Sequence, residues 1–191
     1  MRKVVLSMMI SLDGFIEAPN GEFVPPAWSE DLDRFWAGHA IAHAGGLLFG
    51  RVCFDFMASY WPAAEADPAT PPAQRDVAKA MNSLPKVVFS RAPRTVTWSN
   101  SRVVTDNIVG EVAALKRQPG KDLMMFGGAG IAATFMRLGL VDRYRLLVVP
   151  QLFGAGNALF KGGYERRALT LVENRALDTG AVILTYEPAG H

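Results

Sequence analysis

The segment 123–136, Leu-Met-Met-Phe-Gly-Gly-Ala-Gly-Ile-Ala-Ala-Thr-Phe-Met, changes from strand to helix character, and this constrains the fold more than any other feature. Its first four residues form an apolar run that suits a strand buried on both faces. Its second half places apolar residues at helical spacing, at Ile131, Phe135 and, just beyond, Leu138. Three glycines join the halves: Gly127, Gly128 and Gly130. The pattern indicates either an anion held by the free amides of a helix start or simply a tight strand-to-helix turn.

The rest of the chain repeats this alternation. Short apolar runs predict further strands at 4–10, 47–49, 86–89, 102–105 and 144–149. The segments 168–177 and 181–186 flank Asp178-Thr-Gly180 and predict a closing antiparallel hairpin. We therefore expect a single domain over residues 1–191 with a three-layer α/β/α fold. Its central sheet should be mainly parallel and should end in an antiparallel C-terminal hairpin.

Three further helices have recognisable ends. The first is predicted over 29–43, where Ser29 can cap it and Gly45-Gly46 are expected to end it. The second follows Gly50-Arg51, and the third is capped by Asn107. The segment 62–72 is rich in proline and alanine, and it predicts an irregular surface excursion.

The composition excludes several functional classes. The 20 Lys and Arg residues nearly balance 18 Asp and Glu, and no basic run exceeds two residues, so we expect neither a nucleic-acid nor a membrane partner. The single cysteine, Cys53, excludes an internal disulfide and fits a reducing compartment, so the cytoplasm is the expected location. His39 and His43 have the spacing of zinc proteases but lack the intervening glutamate, and we predict no metal site.

Four separated stretches should meet at one edge of the sheet, because ligands of such sheets bind beyond the carboxyl ends of parallel strands. They are Asp13, Gly50-Arg51, Ser90-Arg91 and Gly127-Gly128. The two arginines offer forked donors that suit phosphate, although either one alone would more often be a solvated surface charge. The chain lacks both the Gly-x-Gly-x-x-Gly motif near its first strand and the Gly-Lys-Ser/Thr motif of nucleotide hydrolases.

These residues resemble a known family. Leu48-Phe-Gly-Arg51, Val87-Val-Phe-Ser-Arg91 and Phe126-Gly-Gly-Ala-Gly130, in this order, are similar to motifs of the dihydrofolate reductase superfamily. Ser11-Leu-Asp-Gly14 and Pro150-x-x-x-Gly154-x-Gly156-x-x-Leu159-Phe160 resemble more specifically its RibD C-terminal branch, the reductase domain of bacterial riboflavin biosynthesis. The resemblance runs over nearly the whole chain.

The resemblance implies NADPH as the cofactor. Residues matching Gly50, Arg51 and Val52 lie at a helix start against the cofactor in this family, and those matching Ser90 and Arg91 contact the adenosine 2′-phosphate. The pyrophosphate is cradled by residues that match Gly127, Gly128, Ala129, Gly130 and Ile131. An arginine beside the 2′-phosphate is also the physical basis for preferring NADP over NAD.

The substrate side rests on two carboxylates. Asp31-Leu-x-x-Phe35 resembles the pattern that holds the pterin ring in dihydrofolate reductases, so Asp31 is the candidate for anchoring and protonating a small heterocyclic substrate. An ordinary acid at a helix start is the alternative. Asp13 either touches substrate or forms an Asx turn.

The activity that the resemblance implies is an NADPH-dependent reductase of the riboflavin-pathway type. Because related reductases pair, the resemblance also implies a homodimer here. The zinc deaminase motif of the bifunctional enzymes of that pathway is missing. Dihydrofolate reductase-type activity and a non-catalytic NADPH-binding module therefore stay open as alternatives.

Overall fold

An eight-stranded sheet forms the centre of the computed structural model, which describes residues 1–23 and 25–190. In chain order its strands are β1 (Val4–Ser11), β3 (Ala44–Gly50), β4 (Lys86–Phe89), β5 (Ser101–Val104), β6 (Asp122–Met125), β7 (Arg143–Val149), β9 (Leu169–Ala176) and β10 (Val182–Pro188). Two short strands, β2 (Phe15–Glu17) and β8 (Asn157–Ala158), pair separately. The spatial order of the large sheet is β5-β4-β3-β6-β1-β7-β10-β9.

The pairing confirms the predicted sheet. Every neighbouring pair from β5 to β7 is parallel, whereas β10 runs antiparallel to both β7 and β9. The hairpin between β9 and β10 closes with a hydrogen bond from Leu177 N to Ala181 O at 2.8 Å. Because the parallel strands need crossover connections, helices cover both faces of the sheet.

The helices form the two outer layers. We label as α1 three consecutive helical segments, Glu30–Leu32, Asp33–Gly38 and His39–His43, of which the middle one is a π-helix. The others are α2 (Arg51–Ala58), α3 (Trp61–Ala64), α4 (Pro72–Ser83), α5 (Ile108–Arg117) and α6 (Ala129–Arg137). On one face, α5 and α6 bury side chains such as Val112 and Phe135 against β1 and β6. On the other, α1, α2 and α4 bury Trp36, Phe54 and Met81.

Two helix caps follow the sequence prediction. Ser29 Oγ accepts the Leu32 amide at 3.1 Å at the start of α1. Asn107 Oδ1 accepts the Gly110 amide at 3.1 Å at the start of α5. Each side chain satisfies one of the amides that have no partner within the helix, and this fixes where the helix begins.

One local prediction was wrong and another holds in part. Gly45 and Gly46 do not end α1 but lie inside β3, because Ala44 is already extended (φ −74°, ψ 131°). A Cβ on Gly45 would lie 2.6 Å from the Lys121 carbonyl oxygen, so the glycine lets β3 pass close to the start of β6. The segment 62–72 is irregular over residues 65–71, as predicted, but its first three residues belong to α3 and its last begins α4.

A buried lysine joins α4, β4 and the loop before β5. Lys86 is 1 % exposed, and its ammonium donates to the carbonyl oxygens of Asn82 (3.1 Å), Leu84 (2.7 Å) and Ser99 (3.0 Å). It also lies 4.6 Å from the centroid of the Trp98 ring. Burial lowers the pKa of Lys86 to about 8, so the ammonium remains the main form at neutral pH. The carbonyl oxygens of Asn82 and Ser99 also accept from other side chains, so Leu84 O is the one whose side-chain donor is Lys86 alone among the described residues.

Replacing this lysine should destabilise the fold. Lys86→Met keeps the aliphatic stem but leaves the Leu84 carbonyl without its side-chain donor and removes one of the donors to Asn82 O and to Ser99 O. We expect the free energy of unfolding to fall by about 2 kcal/mol. Urea denaturation measures the loss. Lys79→Met, on the exposed side of α4, is the matched control and should change stability little. Equal stability of the two variants would contradict the role assigned to Lys86.

Candidate functional site

The sheet brings the four predicted stretches to one edge, here called the rim. The strands β4, β3, β6 and β1 are consecutive neighbours and all parallel, so their carboxyl ends lie side by side. Along the rim in this order lie Ser90-Arg91, Gly50-Arg51, Gly127-Gly128 and Asp13. Two of these stretches also begin helices.

The starts of α2 and α6 touch each other. Gly50 N donates to Gly127 O at 3.4 Å, and a Cβ on Gly50 would lie 2.8 Å from Ile131 Cγ2. Both helices begin after a glycine, so no side chain of the N-cap residue occupies their first amides. Two helix N-termini, each with unpaired amides and partial positive charge, therefore face the same space beyond the rim.

The turn into α6 has open space at Gly128 and Gly130 and is packed against side chains at Gly127. Gly127 (φ +135°) and Gly128 (φ +43°) adopt backbone conformations that favour glycine. A Cβ on Gly127 would come within 3.3 Å of Cys53 Sγ and Met8 Sδ. A Cβ on Gly128 or on Gly130 would meet no atom of the described residues within 4 Å. The backbone of this turn can thus receive an anion of phosphate size without displacing a side chain.

Neighbouring side chains complete the turn. Ala129 is buried at 2 % exposure, and Ile131 is half-buried against Gly50. Burial raises the pKa of the Cys53 thiol to about 11, so it is a neutral packing group under the turn. Met8, whose sulfur lies next to Gly127, was not predicted from the sequence. Its role depends on the pairing of β1 with β6, which the sequence does not specify.

Two arginines lie along the rim with few internal partners. Arg51 is exposed, and its Nη1 is 3.9 Å from Asp55 Oδ2. Asp55 is already held by both guanidinium nitrogens of Arg94, at 2.5 and 3.1 Å. Arg91 is exposed, and within residues 1–23 and 25–190 it forms no ion pair or side-chain hydrogen bond. Both cations are therefore available to a ligand.

Ser90 and Val52 flank these arginines. Ser90 Oγ donates to Ala92 O at 2.8 Å, which folds the chain back immediately after β4 and directs the loop that carries Arg91. Val52 lies in the first turn of α2 and is 63 % exposed. An apolar side chain exposed beside two helix starts gives the rim an apolar surface next to its cations.

Asp13 links the loop after β1 to the loop after β7 through hydrogen bonds. Its carboxylate accepts hydrogen bonds from Ser11 Oγ (2.6 Å), Phe153 N (3.1 Å) and Gly154 N (2.7 Å). The Ser11 hydroxyl is the main cause that lowers the pKa of Asp13. A carboxyl group that holds backbone amides and resists protonation suits a positioning role better than that of a proton donor. The link to Gly154 was not predicted, although the glycine motif at 150–160 was its sequence signal.

Asp31 lies at the same edge of the sheet as the rim, beside the turn between β9 and β10. It follows the Ser29 cap in the first turn of α1 and is half-buried. The next residue, Leu32, packs with Leu177 and Ala181 of the hairpin turn, which is at the rim end of β9 and β10. Among the described residues, none donates a hydrogen bond to the Asp31 carboxylate. Asp31 therefore lies at the rim end of the sheet with free acceptor capacity among the described residues.

Two further observations concern metal ligands and membrane-spanning helices among the described residues. They contain no group of three His, Cys, Asp or Glu side chains arranged to hold a metal ion. Of the helices described, none combines the length and apolar character that crossing a lipid bilayer requires.

The hydrogen bonds that Asp13 accepts from Phe153 N and Gly154 N can be tested by hydrogen exchange of these two amides. Asp13→Ala removes the acceptor of the Phe153 and Gly154 amides, and we expect both amides to exchange several-fold faster. Because the pKa of Asp13 is lowered, the protection should be present above pH 3.8, the usual carboxyl value, and should be lost as the pH falls through the lower folded-state value. Hydrogen exchange measured by NMR provides the readout.

Asp106→Ala, an exposed aspartate in the loop after β5, is the control and should leave both amides unchanged. Unchanged exchange at both amides in Asp13→Ala would contradict the hydrogen bonds assigned to Asp13.

The fold is of the dihydrofolate reductase type, with a mainly parallel sheet, an antiparallel hairpin and two adjoining helix starts at its rim. The chain belongs to the RibD C-terminal domain family, whose model matches residues 2–183. It is 36 % identical over 186 residues to the uncharacterized protein YyaP of Bacillus subtilis strain 168, covering 97 % of this chain and 94 % of that protein.

Two solved structures share the fold. A putative riboflavin biosynthesis protein from Shewanella sp. PV-4 superposes with a TM-score of 0.74 at 19 % identity, and the match covers 100 % of both chains. Dihydrofolate reductase from Enterococcus faecalis, complexed with NADP(H), superposes with a TM-score of 0.63 at 13 % identity over 98 % of this chain and 97 % of that one. At these identities the likeness shows the fold.

Proposed function

We propose that the protein is an NADPH-dependent reductase that transfers hydride to a small, flat heterocyclic substrate, as the 5-amino-6-(5-phosphoribosylamino)uracil reductase of riboflavin biosynthesis does. The observation that carries the proposal is the contact between the α2 and α6 starts at Gly50 and Ile131. It directs two sets of helix amides into one open space, and a dinucleotide is a ligand with several adjacent phosphates to fill it. Family membership supports the same class of activity.

The rim residues fit NADPH in its separate parts. The open turn from Gly127 to Ile131 would receive the pyrophosphate through backbone amides. Arg91, following Ser90 and without an internal partner among the described residues, would pair with the 2′-phosphate. Arg51 and Val52, at the start of α2, would lie against the remainder of the cofactor. Arg51, Val52 and Arg91 are exposed, and the turn is open at Gly128 and Gly130, where a Cβ would meet no atom of the described residues within 4 Å.

The chain's own contribution to the reaction is orientation and a proton. Bound NADPH would supply the hydride. Asp31 would accept hydrogen bonds from the heterocycle and provide its proton, directly or through water. Asp13 would fix the loop that carries Phe153, and so shape the opposite wall of the substrate site. Holding both rings in reacting geometry is then the main catalytic effect of the protein.

The structure favours a substrate other than folate. Phe35 is the aromatic of the pattern Asp31-Leu-x-x-Phe35, but its ring is covered by the Arg175 guanidinium at 4.1 Å. It also packs against the cluster around Leu147 and Ile183. A side chain engaged in this way is not free to line a pterin site. We therefore place a pyrimidine-like substrate ahead of dihydrofolate.

Cofactor preference tests the role of Arg91. Arg91→Ala removes a charge-assisted contact to the 2′-phosphate, so we expect NADPH affinity to fall about 10- to 100-fold while NADH affinity stays unchanged. Energy transfer from the four tryptophans to the reduced nicotinamide reports binding. Arg117→Ala, an exposed arginine at the end of α5 on the opposite edge, is the matched control. Failure of the wild-type protein to bind either dinucleotide would refute the proposal.

Turnover tests the role of Asp31. Asp31→Asn keeps the size of the side chain but cannot donate the proton, and we expect kcat to fall about 100-fold with NADPH affinity retained. Asp33→Asn, two residues later in α1 and likewise half-buried, should retain activity. The assay is NADPH oxidation with the riboflavin-pathway pyrimidine and, separately, with dihydrofolate. NADPH binding without turnover of any substrate would instead indicate a non-catalytic NADPH-binding module.

A further inference from the structure

A polar cavity lies beneath α1, away from the rim. Its volume is about 90 Å³, and its polar lining consists chiefly of His39, His43, Arg143, Arg145, Glu173 and Thr185. Arg143 pairs with Val5 near the amino-terminal ends of β7 and β1, whereas the rim is formed by the carboxyl ends of these strands. The cavity and the rim are therefore separate sites.

Arg145 is the unusual member of this cavity. It is 2 % exposed, its guanidinium lies 5.1 Å from the centroid of the Trp36 ring, and its Nη2 donates to Phe35 O at 2.5 Å. Its Nε and Nη1 are buried and have no hydrogen-bond partner among the described residues. The same holds for Ser7 Oγ, whose residue is 3 % exposed and pairs with Arg145 across β1 and β7. Three buried polar atoms without a hydrogen-bond partner thus belong to two residues that are directly paired across β1 and β7.

The acids near Arg145 are engaged elsewhere. Glu187 accepts from Lys3 Nζ and from Arg143 at 2.6 to 2.8 Å. Glu173 accepts from Thr185 Oγ1 at 3.2 Å and lies 3.7 Å from Arg175 Nε. A buried guanidinium with idle donors and no dedicated carboxylate is costly, and a bound anion would remove that cost.

We propose that this cavity binds a small tetrahedral oxyanion, phosphate or sulfate or the phosphoryl group of a small metabolite. A volume of about 90 Å³ equals the space of roughly three water molecules, which one such anion can fill. Arg145 lines the cavity, and its Nε and Nη1 are the donors that the anion would engage. Ser7 is beside Arg145 in the sheet but does not line the cavity. Entry is from the side of His39, His43 and the half-exposed Val172.

The histidines at the entrance make binding dependent on pH. Burial, and then the charge of Arg145, lower the pKa of His39 to about 4, so this imidazole is neutral at pH 7. The groups facing it are His43 on its own helix, Arg143 and Arg145 on β7, Glu173 on β9 and Asp122 on β6. An anion beside Arg145 offsets the positive charge and raises the pKa of His39, so the anion should bind more tightly as the pH falls.

Sulfate is the probe, because it does not titrate in this range. In thermal unfolding at constant ionic strength, we expect sulfate at ten times its Kd to raise the Tm of the wild-type protein by about 3–6 °C beyond chloride. In ¹⁵N NMR of the three histidines, sulfate should move the titration midpoint of His39 up by about one pH unit. This readout is local to the cavity, so sulfate bound at the rim does not imitate it.

Variants assign the effect to the cavity. Arg145→Met has similar bulk without charge, and it should lose both responses to sulfate while unfolding no more easily than the wild type without sulfate. Arg145→Lys keeps a positive charge but removes the forked guanidinium donors, so it should weaken sulfate about tenfold, and it serves if Arg145→Met does not fold. Arg117→Met and Arg91→Ala should keep both responses.

The opposite results would overturn the site. Equal effects of sulfate and chloride on the wild-type protein would mean that the cavity holds water alone. A sulfate response that Arg145→Met or Arg145→Lys retains in full, or that Arg91→Ala removes, would place the anion elsewhere. Because none of these readouts needs NADPH or turnover, they stand or fall independently of the proposed reductase activity.

Discussion

The contact between Gly50 and Ile131 is the constraint on which the rim depends. Any side chain at residue 50 would push α6 away from β3, since a Cβ there would lie 2.8 Å from Ile131 Cγ2. With glycine, two neighbouring parallel strands each turn into a helix at the same level. Each helix start carries a partial positive charge, and two of them side by side repel. A ligand with two adjacent phosphates relieves that repulsion better than a single phosphate can, and this is the physical basis of the dinucleotide proposed above.

Helix α1 connects the two sites of the molecule. Its first turn carries Asp31 at the rim end of the sheet, and its last segment carries His39 and His43 over the cavity. Between them runs the π-helical segment Asp33–Gly38, whose Phe35 carbonyl accepts from Arg145. π-helical turns often occur at functional sites. Here the widened turn presents a backbone carbonyl to a buried guanidinium, so the anchoring of α1 and the occupancy of the cavity involve the same side chain.

The sequence allowed prediction of the features that depend on local pattern and on the order of motifs along the chain. Apolar runs located the strands, Ser29 and Asn107 marked helix starts, and the ordered glycine and arginine motifs indicated the family. The errors and omissions concern contacts between distant segments. Gly45 was taken for a helix end because its neighbour Lys121 is far along the chain. Asp13 could not be linked to the Phe153 and Gly154 amides, since nothing within the first strand indicates which loop it meets.

Arg145 shows this limit most clearly. In sequence it stands within an apolar run that predicts a buried strand, and such a run alone does not say whether the arginine reaches solvent or is covered. Its burial depends on α1 crossing the sheet and placing Trp36 and His39 over it. An apolar residue of similar volume at a buried site of this kind is often neutral or more stabilising. A buried arginine with two idle nitrogens among the described residues is therefore poorly explained by stability, and it is well explained by an anion that those nitrogens bind.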